Sequence, residues 1–374
     1  MTSDLLYSDT ERALATALTD LLSQRCQWND VLAGTVGPDL WRGVAAELGC
    51  AGLLIGEADG GAGASFREAA VVAEELGAFV APVPFLGSSV VATTALINVD
   101  APGDLLKRLA EGTATAALAV PYATAPRGPF PDGIRIGVHR SGDSAQGITR
   151  LRGIVRGVAD ALAADVLLVP ADGVPRGLYL VEAAAPGVTV TPLTSLDMTR
   201  QLCEVTFEDA PAQAVASGEG AHAAVRAALS AGAGLLAAEQ LGIARRCLDM
   251  TVAYVKERRQ FARPVGSFQA IKHRLADLWV EVTLARAASR YAAACLAGDD
   301  PDAPVAVALA KSYCSEAAVH AAQECVQLHG GIGFTWEHPA HLYLKRAKAT
   351  SIAFGTPAAH RASLTTLANL PTPT

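Results

Sequence analysis

From His222 to its C-terminus the chain runs as Ala- and Leu-rich stretches with interleaved Glu and Arg, broken only near Arg263–Gly266, Gly298–Asp302 and Gly330–Pro339. Ala and Leu lead the helix propensity scale, because Ala loses no side-chain entropy in a helix and Leu loses little. Long helices with short connections can bury their apolar faces only against one another, so this stretch predicts an antiparallel bundle. The pattern upstream is helical as well from Ser8 to about Gly112. ERALATALTDLLSQRC, LWRGVAAELG and SFREAAVVAEELGAFV repeat apolar residues at three and four, and the loop GEADGGAGAS separates the last two. Between these zones, from Thr113 to about Gly218, the texture changes. Short β-branched runs (IRIGVH, DVLLVPA, GLYLVEA, GVTVTPL, CEVTFED) alternate with Gly, Pro and Asp, which predicts an antiparallel sheet or small barrel. A chain of 374 residues is too long for one core. The expected organisation is therefore an α+β multidomain protein: a helical domain over 1–112, a β-domain over 113–221 and a helical bundle over 222–374.

The charge balance narrows the partners. A net charge of −7 and a pI near 5.6 argue against nucleic acid, which requires a basic surplus. No window approaches about eighteen uninterrupted apolar residues, so no membrane span is expected. The first residues, MTSDLLYSDTERALATALTDLL, carry acids where a signal peptide needs a basic patch, which points to a cytoplasmic protein. The seven cysteines are scattered without a C-x-x-C pair and read as reduced structural thiols.

Two segments could carry chemistry. In YVKERRQFARPVGSFQAIKHRLADL, Tyr254 to Leu278, one helix ends around Gln260 and a second starts after Ser267. Arg258, Arg259 and Arg263 cluster at that turn beside a fresh helix N-terminus, an arrangement suited to a phosphate-like anion. The same cluster also reads as a solvated basic helix end that complements the dipole. In QLHGGIGFTWEHPAHLYLKRAKA, Gln327 to Ala349, Gly330, Gly331 and Gly333 permit positive φ or close approach of a ligand. No strand precedes them, so this is not a dinucleotide fingerprint. His338 and His341 have metal-ligand spacing but no evident third ligand, and no metal site is expected.

Taken together, these segments and the helical–β–helical order resemble the acyl-CoA dehydrogenase family. The family's first motif is matched by Tyr254, Arg258, Gln260-Phe261, Pro264 and Phe268-Gln269, with Ala262 replacing its glycine. The second is matched by Gln327, Gly330-Gly331, Gly333 and Phe334. GEADGGAGASFREAAVVAEELG and LDMTRQLCEVTFEDAPA also resemble family segments, so the likeness spans essentially the whole chain. It implies an N-terminal helical domain, a β-domain and a C-terminal four-helix bundle. It also implies FAD as cofactor and desaturation of an acyl-CoA between Cα and Cβ. In that reaction a carboxylate removes the α-proton, the β-hydrogen leaves as hydride to the flavin, and an electron-transferring flavoprotein is the acceptor. Residues implied to contact FAD are Arg258, Gln260, Phe261, Phe268, Gln269, Gln327, Gly330, Gly331 and Thr356.

The catalytic carboxylate is missing from that pattern. The family's usual Glu, in an E-G-T tripeptide, corresponds to Phe354 in SIAFGTPAAHR, where Gly355, Thr356 and Arg361 match. The alternative position used by some relatives falls on Gly232. The flavin-lining stretches are rewritten as AVPYATAPRGPFPDG and GIVRGVADALAADVLLVPA, without the family's hydroxyl positions or its Trp. In family tetramers a neighbour's Arg-x-Gln-Phe and Gln-x-x-Gly-Gly segments hold the adenosine-diphosphate half of each FAD, and this chain keeps those. The resemblance therefore implies the base-lacking subunit of an actinobacterial α2β2 enzyme, paired with a catalytic paralogue, some of which act on steroid side-chain thioesters. Two other readings stay open: a self-sufficient enzyme with a displaced base such as Glu239 or Glu337, and a pseudoenzyme without flavin.

Overall fold

The computed structural model describes residues 5–99, 101–139, 148–173 and 176–369. The N-terminal region holds α1 (Asp9–Arg25), α2 (Trp28–Ala33), α3 (Pro38–Arg42), α4 (Phe66–Ala78), α5 (Thr93–Ile97) and α6 (Gly103–Ala110). Local chemistry starts the two longest. At Ser8 the hydroxyl accepts from the Glu11 N–H at 3.1 Å while the Glu11 carboxylate accepts from the Ser8 N–H, a reciprocal cap that Ser65 and Glu68 repeat at α4. The expected helix over LWRGVAAELG is instead the short α3 followed by a wider turn over Gly43–Glu47.

Among the described residues the middle region forms two four-stranded sheets. Its strands are β1 (Ala116–Leu118), β2 (Ile134–His139), β3 (Ile148–Ala159), β4 (Val166–Ala171), β5 (Gly177–Glu182), β6 (Val188–Pro192), β7 (Leu202–Pro211) and β8 (Gln213–Ser217). They are ordered β1-β4-β5-β8 and β2-β3-β7-β6. Leu151, Val155, Val205 and Phe207 from one sheet pack with Leu167, Val169 and Val181 from the other in a single core. The antiparallel expectation needs one correction: β1 runs parallel to β4, with Ala116 opposite Val166. The long intervening stretch gives the chain room to return in the same direction, which a tight hairpin could not do.

The C-terminal region comprises α7 (Gly218–Glu257), α8 (Gln269–Ala297), α9 (Ala303–His329), α10 (Ala340–Ile352) and α11 (Pro357–Leu367). Helix α7 is the axle of the molecule and packs against α4, α8 and α9. Its length and composition would allow a membrane span, but the relevant window is 89% buried inside the fold, as expected of a core helix. Glycines let α4 and α7 cross with their backbones in contact. A Cβ on Gly242 would lie 1.9 Å from the Glu74 carbonyl oxygen, and one on Gly77 would lie 2.1 Å from that of Glu239. Because the obstacle is backbone, no rotamer change relieves it. Gly242→Ala is expected to destabilise the protein by about 1–3 kcal/mol or more, read as a lower denaturant midpoint.

Candidate functional site

The two segments singled out by the sequence meet at one end of the bundle. Helix α7 stops at Arg258, whose backbone turns extended, and a short hairpin follows with Gln260 paired to Arg263. Phe261 and Ala262 at its tip both take left-handed φ, +50° and +61°. The glycine expected at position 262 would adopt this conformation freely, whereas Ala262 does so at a cost of about 1–2 kcal/mol. The hairpin is open to solvent: Phe261 is 87% exposed, Gln260 and Gln269 are exposed, and the Arg258 guanidinium has no ion-pair partner among the described residues. The Arg263 guanidinium lies 3.9 Å above the Phe268 ring, and the Phe261 ring stands edge-on to it.

Beside this hairpin α9 ends at the glycine turn, where Gly330 and Gly333 each have a local reason to be glycine. Gly330 takes φ +63°, a Cβ on Gly333 would strike the Val326 carbonyl at 2.6 Å, and a Cβ on Gly331 would meet nothing within 4 Å. Gln327 is exposed in the last turn of α9, and Phe334 and Trp336 protrude beyond it. Tyr254 in the last turn of α7 stacks on His329 at 4.4 Å, so the two segments form one continuous surface. His338 and His341 turn to different neighbours, His329 and Trp336 respectively. Of the implied contact residues only Thr356 stands apart. It caps α11, accepting from the Ala359 N–H at 3.2 Å, and it lies beyond the far end of α10, roughly 20 Å along the axis from the glycine turn.

At that far end Phe354 and Gly232, the two positions where the resemblance implies a base, converge. A Cβ on Gly232 would lie 2.9 Å from the Phe354 ring and 2.8 Å from Val91. Phe354 is buried at φ +50°, donates its N–H to the Tyr122 carbonyl at 2.8 Å, and packs edge-on against the Tyr122 ring. Its carbonyl accepts from His360 Nε2 at 2.8 Å. The fully buried Lys311 ammonium donates to Ser315 Oγ at 2.8 Å and to the Thr350 and Gly355 carbonyls at 3.2 and 3.3 Å; burial lowers its pKa to about 7. The stretches AVPYATAPRGPFPDG and GIVRGVADALAADVLLVPA lie alongside, joined where the Tyr122 N–H donates to the Gly157 carbonyl. What remains open among Leu86, Gly87, Tyr122, Asp160, Arg200 and Phe354 is a cavity of about 20 Å³, room for one water. The unpaired Asp160 Oδ2 is buried at this site, and burial raises the pKa of its carboxyl.

The structure also corrects the reading of Glu239 as a displaced base. Its two carboxylate oxygens are taken, one by Arg200 at 2.8 Å and the other by Arg346 at 2.7 Å. Burial pushes its pKa up, but the two guanidiniums outweigh it and hold the carboxyl at about 2. A carboxylate with both oxygens occupied and so low a pKa is a poor general base. Arg346 also reaches Thr199 Oγ1 at 2.9 Å and Asp197 at 3.5 Å, and Arg200 donates to the Tyr122 hydroxyl. Glu239 is thus the hub of an ion-pair network joining the β6–β7 connection to α7 and α10. Glu337 is exposed at the glycine-turn end, across the length of α10 from Phe354. Sequence reasoning did not find Arg200, Arg346, Lys311 or His360. Only Lys311 had a sequence signal, a charged side chain inside the otherwise apolar helical run VAVALAKSYC.

Comparisons with known proteins identify the family. The family description "Acyl-CoA dehydrogenase, C-terminal domain" matches residues 218–366, and "Acyl-CoA dehydrogenase, N-terminal domain" matches residues 8–101. Acyl-CoA dehydrogenase IpdE2 of Mycolicibacterium smegmatis is 36% identical over 86% of this chain and 85% of its own. Among solved structures, the Tcur3481–Tcur3483 steroid ACAD variant superposes with a TM-score of 0.82 at 30% identity, covering 96% of this chain and 98% of that one. The ChsE4–ChsE5 complex from Mycobacterium tuberculosis superposes with a TM-score of 0.84 at 28% identity, covering 99% of this chain and 100% of that one. With both terminal regions matched and a relative of this identity spanning most of its length, this chain belongs to the acyl-CoA dehydrogenase family.

Proposed function

We propose that this chain is the base-lacking subunit of a heteromeric, FAD-dependent acyl-CoA dehydrogenase, and that it completes the cofactor site of a catalytic paralogue in an α2β2 assembly. The observation that carries this reading is the contrast between the two ends of the bundle. The base positions Phe354 and Gly232 close on each other over a cavity of about 20 Å³, while the Arg258–Gly331 surface is open. FAD fits that open surface chemically. An unpaired guanidinium at Arg258 suits a pyrophosphate oxygen, the bare backbone at Gly331 admits close approach, and exposed Phe261 and Phe334 offer ring faces. When bound, FAD accepts the β-hydrogen as hydride, and the partner supplies the α-proton base. This chain then holds the adenosine-diphosphate half through Arg258, Gln260, Phe261, Phe268, Gln269, Gln327, Gly330 and Gly331.

The substrate is an acyl-CoA thioester, with a bulky steroid-type acyl group favoured by the likeness to a steroid ACAD and to the ChsE4–ChsE5 complex. The acceptor is an electron-transferring flavoprotein, as the family resemblance implies. Purified alone, the chain should be colourless and inactive. Co-expressed with a base-bearing paralogue from the same genome, it should copurify with it and show a flavin absorption spectrum. Full flavin content and acyl-CoA turnover by the single pure chain would sink the proposal.

A further inference from the structure

His329 occupies an unusual position at the open end of the bundle. It is the last residue of α9, directly before Gly330, and only 3% of its surface is exposed. One face of its ring stacks on Tyr254 in the last turn of α7 at 4.4 Å, and it also contacts His338, beyond the glycine turn, at 4.2 Å. Its Nδ1–H donates to the Cys325 carbonyl one turn back at 2.6 Å, which fixes the ring orientation. Three chain segments that share no continuous hydrogen-bond ladder are therefore registered by one imidazole: the end of α7 that leads into Arg258, the Gly330–Phe334 turn, and the loop entering α10.

We propose that His329 is a positioning residue, which holds the Arg258 hairpin and the Gly331 backbone at a fixed spacing so that together they form one edge for the adenosine-diphosphate half of FAD. This inference rests on the reading of that surface given above. The physical reason is preorganisation. The guanidinium and the bare glycine backbone lie on separate elements, and two anchor points on one rigid ligand bind tightly only if their separation is set beforehand. The two aromatic contacts supply that setting and favour offset or tilted ring geometry.

The groups facing His329 are Tyr254 from α7, Cys325 from its own helix with Cys247 behind it, and His338 from the following loop, with His341 at the start of α10 beyond His338. Burial disfavours the charged imidazole, but the Cys325 sulfur and carbonyl outweigh it and raise its pKa, whereas burial and the neighbouring His329 and His341 bring His338 down to about 4. A protonated His329 between a phenol ring and a neutral imidazole gains a cation–π contact that it loses on deprotonation.

The test uses the heteromeric complex, with FAD affinity measured by titrating the deflavinated protein. His329→Ala should weaken FAD roughly tenfold while size-exclusion chromatography still shows the intact assembly. His329→Phe keeps a stacking ring without a titrating group. It should return affinity to within about threefold and abolish the part of the pH dependence that wild type shows. Should the alanine variant fail to assemble, His338→Ala removes the outer contact from a more exposed position and should weaken FAD in the same direction. Unchanged affinity in both alanine variants, or a phenylalanine variant as weak as alanine, overturns the inference. Arg258→Ala separates the two levels. If it weakens FAD and the histidine variants do not, only the positioning role fails; if it too is silent, the nucleotide surface itself is misassigned.

Discussion

Replacing Glu239 with Ala is expected to destabilise the protein by about 3–5 kcal/mol, because it leaves two fully buried guanidiniums without their shared carboxylate. Arg200 and Arg346 would retain the Tyr122 hydroxyl, Thr199, the 3.5 Å approach of Asp197 and the nearby buried Asp160, none of which takes two guanidiniums on one carboxylate as Glu239 does. The loss should appear as a large drop in denaturant midpoint, and it should be a loss of stability rather than of a proton-transfer step. A pH experiment reports on the same hub. The Glu239 carboxyl sits at about 2 in the fold against 4.5 as its ordinary value, so its pKa is depressed on folding. Its stabilising contribution is therefore complete above about pH 4.5 and is lost as pH falls toward 2. The depression corresponds to roughly 3 kcal/mol, in line with the mutational figure. A Glu239→Gln protein with wild-type stability from pH 7 down to pH 3 would contradict this account.

Replacing Arg258 with Ala should lower the affinity of the heteromeric complex for FAD by roughly 10–100-fold, the range of one charge-assisted hydrogen bond to a phosphate. The side chain is exposed and has no ion-pair partner among the described residues, so its removal strands no buried group and should leave the melting temperature of the chain nearly unchanged. Flavin content per heteromer, read from the visible absorbance against protein concentration, should fall while assembly persists. Arg258→Lys should recover only part of the loss, because an ammonium cannot reproduce the planar two-donor fork. Full flavin retention by Arg258→Ala would remove this residue from the cofactor surface.

The architecture was legible because it rests on local signals. Ser8 and Ser65 with Glu three residues later start helices, the glycine-rich breaks end them, and β-branched runs mark the sheets. The direction of β1 was not legible, since pairing across 50 residues depends on how the connection packs rather than on composition. The open half of the candidate site was readable for a related reason. Its residues lie in two short segments whose spacing is local, and what unites them, α7 packed on α9 with Tyr254 stacked on His329, is tertiary. Even the substituted glycine at Ala262 was a backbone signal, later explained by a left-handed φ.

The buried half was not readable. Phe354 and Gly232 are 122 positions apart in number, and only the fold shows that a Cβ at one would strike the ring at the other. The fate of Glu239 depended likewise on Arg200 and Arg346, which arrive from a strand connection and a later helix. A carboxylate's chemistry is set by the charges within a few ångströms of it, and a sequence does not give those distances. By itself, then, the sequence determined the element order and the family, and it put Phe354 and Gly232 at the two positions where the resemblance implies a base. The tertiary structure decided that those positions are one closed place, that the tempting glutamate is an ion-pair hub, and that the retained segments share a single exposed surface. The division follows from range: propensity, capping and short motifs act between near neighbours, whereas electrostatics and packing act between whatever the fold brings together.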